Sequence, residues 1–175
     1  MKQVLILHAW FATPKDHWYP WLKTELEKKD YQVFIPELKD KDKPTLKRWT
    51  SCALKGIKLD ENTAVIGHSL GAVLALRLAE SYKIGKLVLV AGWDFWDLTP
   101  EHETFFKKPI DHKKIKQNVK KIVVIYSDND PYSTLWQGEQ FAKRLGARFL
   151  LKKGKGHFTK EDGVEKIPIV LKMMR

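Results

Sequence analysis

Short apolar runs alternate with longer amphipathic ones along the chain. VLIL (4–7), VFI (33–35), AVI (64–66), KLVLVA (86–91), IVVIY (122–126) and ARFLL (147–151) are continuous enough to predict strands covered on both faces. Between them the spacing predicts helices over 17–29, 45–57, 70–82, 134–145 and 163–173; in the first of these Trp18, Trp21, Leu22, Glu25 and Leu26 follow helical spacing. Strand and helix taking turns calls for parallel strands joined by right-handed crossovers. The expected architecture is therefore α/β, a three-layer helix-sheet-helix sandwich with a mostly parallel sheet of about six strands. No repeat, low-complexity tract or linker interrupts the pattern, and residues 1–175 are expected to form one domain.

One stretch breaks the alternation. GWDFWDLTPEHETFFKKPIDHKKIK (92–116) is long, aromatic and without regular periodicity, as lids and binding loops often are. Trp93, Phe95 and Trp96 are candidates for the lining of a substrate pocket. The alternative is an ordinary loop that packs these residues, with Phe105 and Phe106, onto the core.

Composition narrows the classes. With 43% hydrophobic and 30% charged residues the chain is that of a globular protein, and its apolar runs are far too short to span a membrane. The start has only four consecutive apolar residues between Gln3 and His8, too few for a signal peptide, and the single cysteine, Cys52, excludes an intrachain disulfide. Cytoplasmic residence is expected. The 32 Lys and Arg against 21 Asp and Glu give +11, a balance that invites a nucleic-acid reading. The lysines are spread over nearly every predicted helix and loop, however, and this favours a solvated surface over a nucleic-acid tract.

The chemistry sits in NTAVIGHSLGAVLALRLAE (62–80), where Ser69 stands between Gly67 and Gly71 at the junction of a predicted strand and helix. A tight strand-turn-helix bend strains the central residue, and side chains two positions away on either side would collide, which the glycines avoid. Such a bend lifts the hydroxyl clear of the sheet at the carboxyl ends of its strands, where ligands meet parallel α/β folds. A serine nucleophile needs a histidine as base and an acid to orient it, and in this strand order they follow as acid and then histidine. SDNDP (127–131) follows one late strand and KKGKGHF (152–158) the next, offering Asp130, rigidified by Pro131, or Asp128, and then His157. Gly154 and Gly156 let the chain turn back toward Ser69. The oxyanion donors would be the backbone N–H groups of Leu70, after the serine, and of Trp10 in the first loop.

The remaining candidates have quieter readings. His68 beside the serine is expected to make a supporting hydrogen bond, His8 and His17 to fix the first loop, and His102 and His112 to be solvent-exposed. Cys52 is expected to be a small buried residue. No metal or cofactor is called for.

These residues resemble the α/β-hydrolase superfamily, and more closely the small single-domain serine hydrolases of the YdeN and retinoblastoma-binding protein 9 group. VLILHAWFATPKDHWYPWLKTELE, VIGHSLGA, SDNDPY and GKGHF carry the likeness over nearly the whole chain. The resemblance implies a minimal α/β-hydrolase fold with Ser69, Asp130 and His157 as triad, and matches His17 and Trp18 to a His-Trp pair of that group. Ala9 stands where many hydrolases carry glycine, and the leading antiparallel strands of larger members are expected to be absent. The expected function is hydrolysis of a small-molecule carboxylic ester, less readily an amide, through an acyl-serine. The rival is a weakly active or inactive hydrolase fold that binds a protein partner.

Overall fold

The computed structural model describes residues 2–174. Six strands form one sheet: β1 (Lys2–Leu7), β2 (Tyr31–Phe34), β3 (Thr63–His68), β4 (Ile84–Val90), β5 (Val119–Ser127) and β6 (Arg148–Lys152). Their order is β2-β1-β3-β4-β5-β6, and every pairing is parallel. Apolar continuity fits the inner strands, and all six residues of β3 are buried; the edge strands β2 and β6, expected to be covered on both faces, are not, β2 burying only Val33 and β6 no residue, because each has a neighbour on one side only.

Alternate residues of each strand feed two cores. Leu5, Leu7, Val65, Leu87, Leu89 and Val124 point to one face, where α2 (Leu46–Ala53), α3 (Leu70–Ala79), α5 (His112–Asn118) and α6 (Leu135–Leu145) pack. Val4, Ile6, Ala64, Ile66, Val88 and Ile125 point to the other, against α1 (Tyr19–Glu27) and α7 (Pro168–Met173). Each of the valine, leucine and isoleucine side chains among these contributes roughly 1.5–3 kcal/mol of transfer free energy.

The strand order has a consequence for function. From β1 the chain runs outward to β2 and then returns to β3 on the opposite side of β1, so the loops after β1 and β3 part above the sheet. A crevice opens at this switch point. Among the described residues no helix is long and apolar enough to cross a membrane.

Two expectations are corrected. The stretch 92–116 is not one irregular excursion: a 3-10 turn (Pro100–His102), α4 (Glu103–Phe106) and most of α5 lie within it. The last two helices bury one residue each, Phe105 and Ile115, and so leave no repeating apolar stripe to read. The final helix begins only at Pro168, whose fixed φ suits a first helical turn.

Candidate active site

Ser69 follows β3 directly and has φ 54° and ψ −125°, a backbone that non-glycine residues rarely adopt. Such strain costs about 1–3 kcal/mol and persists where the surroundings over-determine it. Here they do. A Cβ on Gly67 would lie 2.4 Å from Ala72 Cα, and one on Gly71 would lie 2.3 Å from the Leu7 carbonyl oxygen. The glycines thus permit close packing of α3 against its own strand and against the end of β1. The Ser69 amide donates to the Val90 carbonyl at 3.0 Å, tying the bend to β4.

The late loop reaches this serine. His157 Nε2 lies 2.8 Å from Ser69 Oγ, and His157 Nδ1 lies 2.9 Å from Asp130 Oδ2. The Asp130 side chain is fully buried, and its other oxygen accepts from the Tyr132 amide at 2.9 Å. With Nδ1–H given to the carboxylate, Nε2 is free to accept the serine proton. Asp128, the competing acid, accepts from the Gly154 amide at 2.7 Å and does not touch His157.

The segment after β5 stitches the segment after β6 in register. Ser127 Oγ accepts from the Lys155 amide and Asn129 Oδ1 from the Gly156 amide, both at 2.8 Å. Asp162 then takes the His157 amide at 2.8 Å, together with the Thr159 amide and hydroxyl. Partial burial pulls the Asp162 carboxyl upward, but these hydrogen bonds more than offset it and hold the group below its usual range. Asn129 and Asp162 escaped the sequence reading; the Asn within SDND and the Thr159–Asp162 turn spacing were the signals available.

Beneath the serine runs a second chain of hydrogen bonds. The Ala9 amide donates to Tyr19 Oη at 2.9 Å, Tyr19 donates to His68 Nδ1 at 2.6 Å, and His68 Nε2–H donates to the His157 carbonyl at 2.7 Å. It joins the loop after β1, α1, the elbow and the late loop. Burial, reinforced by the neighbouring His157, drives the His68 pKa well below its ordinary value, and burial raises that of the Tyr19 phenol. Both are neutral, as the chain requires. Tyr19 is a further residue that sequence reasoning missed, although it adjoins the His17-Trp18 pair.

The first-loop histidines fix backbone. His8 is fully buried, its Nδ1 bonded to the Ala9 carbonyl and its Nε2 accepting from the Leu38 amide at 3.0 Å. His17 Nδ1 accepts from the Lys160 amide at 3.1 Å, and burial lowers the pKa of both rings. Trp18 is fully buried, packed on Tyr19 and His68.

Ser69 opens on a cavity of about 810 Å³ whose walls include Trp10, Trp93 and Phe95 on one side and Asp16, His17 and Lys160 on another. Trp10 adjoins the cavity, stacked on Phe11 with its indole N–H on the Lys41 carbonyl; Leu70 opens α3 immediately after the serine. Trp96 is corrected: it does not line the cavity and is 49% exposed, because the chain bends at Asp94 and Phe95 and turns the next side chain outward. His102 is corrected too. It is buried, with Nδ1 2.9 Å from Asp97 Oδ2 and its ring edge-on to Trp10, because the 3-10 turn folds it back under the aromatic wall. His112 is only partly exposed, with Nε2 2.7 Å from Asp94, and Cys52 is half-buried. Among the described residues no group of three or more His, Cys, Asp or Glu side chains is gathered to hold a metal ion.

A strained elbow serine above a parallel sheet, with histidine and carboxylate arriving from the ends of later strands, defines an α/β-hydrolase-type fold. The serine hydrolase family profile matches residues 4–175, and the chain belongs to that family. YdeN of Bacillus subtilis (strain 168) is 31% identical over 97% of this chain and 92% of its own length. Its crystal structure superposes with a TM-score of 0.89 over 99% of this chain and 97% of that one. The serine hydrolase RBBP9 of Rattus norvegicus is 29% identical over 90% of this chain and 86% of its own. Est1E of Butyrivibrio proteoclasticus, at 12% identity and a TM-score of 0.73 over 99% and 89% of the two chains, shares the fold alone.

Proposed function

We propose that the protein hydrolyses small-molecule carboxylic esters, and amides less readily, through an acyl-serine intermediate. The observation that carries this reading is the 2.8 Å contact between Ser69 Oγ and His157 Nε2, with the Asp130 carboxylate on the far side of the ring. Ser69 Oγ attacks the acyl carbon while His157 takes its proton, and the carbonyl π electrons move onto oxygen. The Leu70 and Trp10 amides hold that oxyanion, each contributing about 3 kcal/mol to the transition state. Collapse breaks the bond to the leaving oxygen, which departs as the alcohol with the proton from His157. Water, deprotonated by the same ring, then releases the acid and restores the serine.

Asp130 keeps Nδ1 protonated and stabilises the imidazolium formed in each half-reaction. Family membership supports hydrolysis, and the apolar share of the cavity wall supports an acyl group. The lone cysteine supports residence in a reducing compartment such as the cytoplasm.

A fluorophosphonate should label the protein at Ser69, located by mass spectrometry of the digest, and Ser69→Ala should abolish turnover of p-nitrophenyl acetate while keeping the fold. An unlabelled serine, or equal turnover by the variant, removes the mechanism.

A further inference from the structure

The cavity is divided by the sheet beneath it. Asp16, His17, Thr159 and Lys160 line the cavity, next in sequence to Trp18 and Phe158, which pack in the core under α1 and α7. Trp10 and Trp93 pack on the opposite core, and Phe95 lines the cavity with them. Chemistry assigns the two halves. His157 must pass its proton to the leaving group, so the leaving group lies toward the His157 ring and the acyl group away from it.

Trp93 and Phe95 stand in a segment of irregular backbone with no ladder of its own, and one residue between them anchors it. The Asp94 side chain is only 2% exposed and receives two hydrogen bonds from Arg144 of α6, Nε to Oδ2 and an Nη to Oδ1, each at 2.7 Å. His112, the first residue of α5, contacts the same carboxylate at 2.7 Å. A planar guanidinium fork on a carboxylate fixes orientation as well as distance. Just upstream, Tyr126 Oη donates to the Gly92 carbonyl, and a Cβ on Gly92 would meet Ala72 Cβ at 2.6 Å, so the segment is also pinned where it leaves β4. Asp94 points into these partners and does not line the cavity.

Resting on the hydrolysis reading above, we infer that the Trp93 and Phe95 wall is the acyl subsite, that it takes a bulky apolar group such as an aryl-acetyl chain, and that Asp94 is the positioning residue that sets this preference. Buried at the junction of α5 and α6, it aims two aromatic rings it does not touch the substrate with. Loss of the anchor therefore changes binding of a large acyl group and leaves the reacting atoms in place.

The test compares p-nitrophenyl phenylacetate with p-nitrophenyl acetate, which share a leaving group. Wild type should favour phenylacetate in kcat/KM by about tenfold or more, the scale of discrimination by apolar pocket contacts. Phe95→Ala and Asp94→Asn should each reduce the phenylacetate value about tenfold through KM. In Asp94→Asn, whose side chain lies outside the cavity wall, acetate turnover should stay within about twofold, as expected when only the acyl contact changes. Arg144→Met, which frees Asp94 from the other side, should mimic Asp94→Asn. Equal losses on both esters with Asp94→Asn, or an unchanged preference in Phe95→Ala, overturn the inference. Turnover of acetate without preference for phenylacetate overturns it alone, whereas turnover of neither ester by wild type overturns the hydrolysis reading and this inference with it.

Discussion

Two segments close over Ser69, and they are held in different ways. The one after β6, residues 153–162, hangs from side-chain acceptors: Asp128, Ser127, Asn129 and Asp162 each take a backbone amide from it. The one after β4, residues 91–99, has fewer ties: the packing of the partly buried Trp93, the Asp94 carboxylate, and the Tyr126 hydroxyl on the Gly92 carbonyl where it leaves β4. Proton transfer needs heavy atoms within about 3 Å and a set direction, and dense directional bonding supplies that. An acyl wall needs shape, which apolar packing supplies with fewer constraints.

The largest effect should come from changing one atom in the directional network. Asp130→Asn keeps the side chain's shape but replaces a carboxylate with an amide, so the tautomer and charge on His157 are no longer held. We expect kcat to fall about ten-thousandfold with little loss of stability. Asp128→Asn retains an oxygen for the Gly154 amide and should stay within about threefold, since only a charge-assisted hydrogen bond is weakened. Steady-state kinetics on p-nitrophenyl acetate compares them, and equal losses would show that the carboxylate facing His157 has no special part.

Next is the geometry of the late loop itself. Gly156 has φ 49°, and a Cβ there would sit 2.1 Å from Asp162 Oδ1. In Gly156→Ala the Asp162 side chain must withdraw from the His157 amide, at a cost of about 3 kcal/mol from the lost charge-assisted bond together with left-handed strain. Gly154→Ala is the control. With φ 63° and nothing within 4 Å of its Cβ it should cost only the strain, about 1–2 kcal/mol. Urea unfolding of the two variants distinguishes them, and equal losses would remove Asp162 from the account.

A third effect is set by pH. His68 is held well below its ordinary value of 6.5, first by burial and then by the nearby His157; burial also lowers His8 and His17. Below pH 6.5 the unfolded chain takes up protons that the folded chain refuses. Stability is therefore complete above that pH and declines as pH falls toward the folded-state values, by at most about 1.4 kcal/mol per pH unit for each histidine. Unfolding free energies at pH 7.5, 6.5 and 5.5 should fall in that order, and the slope should lessen in His68→Gln. A flat profile would mean that these rings find acceptors for a second proton when folded.

How much of this was legible in the chain follows the same division. All six strands could be read because each is a continuous apolar run, and the meeting of Ser69, Asp130 and His157 could be read because glycines and a proline mark the turns that deliver them. What escaped reading depends on residues distant in sequence. The burial of His102 needs the ring of Trp10 from the loop after β1, which joins the nearby Asp97 and Trp93 around it, and nothing near His102 in sequence announces that loop. The roles of Tyr19 and Asp94 arise from partners 49 and 50 residues away. The helices within 92–118 bury too few residues each to mark a period.

The smallest expected effect tests whether the aromatic wall is as loosely specified as its few anchors imply. Phe95 and Trp96 are adjacent, similar in character and similarly exposed, at 40% and 49%, yet only Phe95 lines the cavity. The bend that separates them is held by the Asp94 carboxylate, so if the bend is rigid the two rings stay on different sides of the backbone. Trp96→Ala should then change stability by no more than about 0.5 kcal/mol, as for an exposed side chain, and leave the preference for phenylacetate intact. Were it to raise KM for phenylacetate as much as Phe95→Ala does, the segment would have to swing Trp96 into the cavity when substrate binds. The contrast between a directional late loop and a packed wall would then become one between a fixed loop and a moving one.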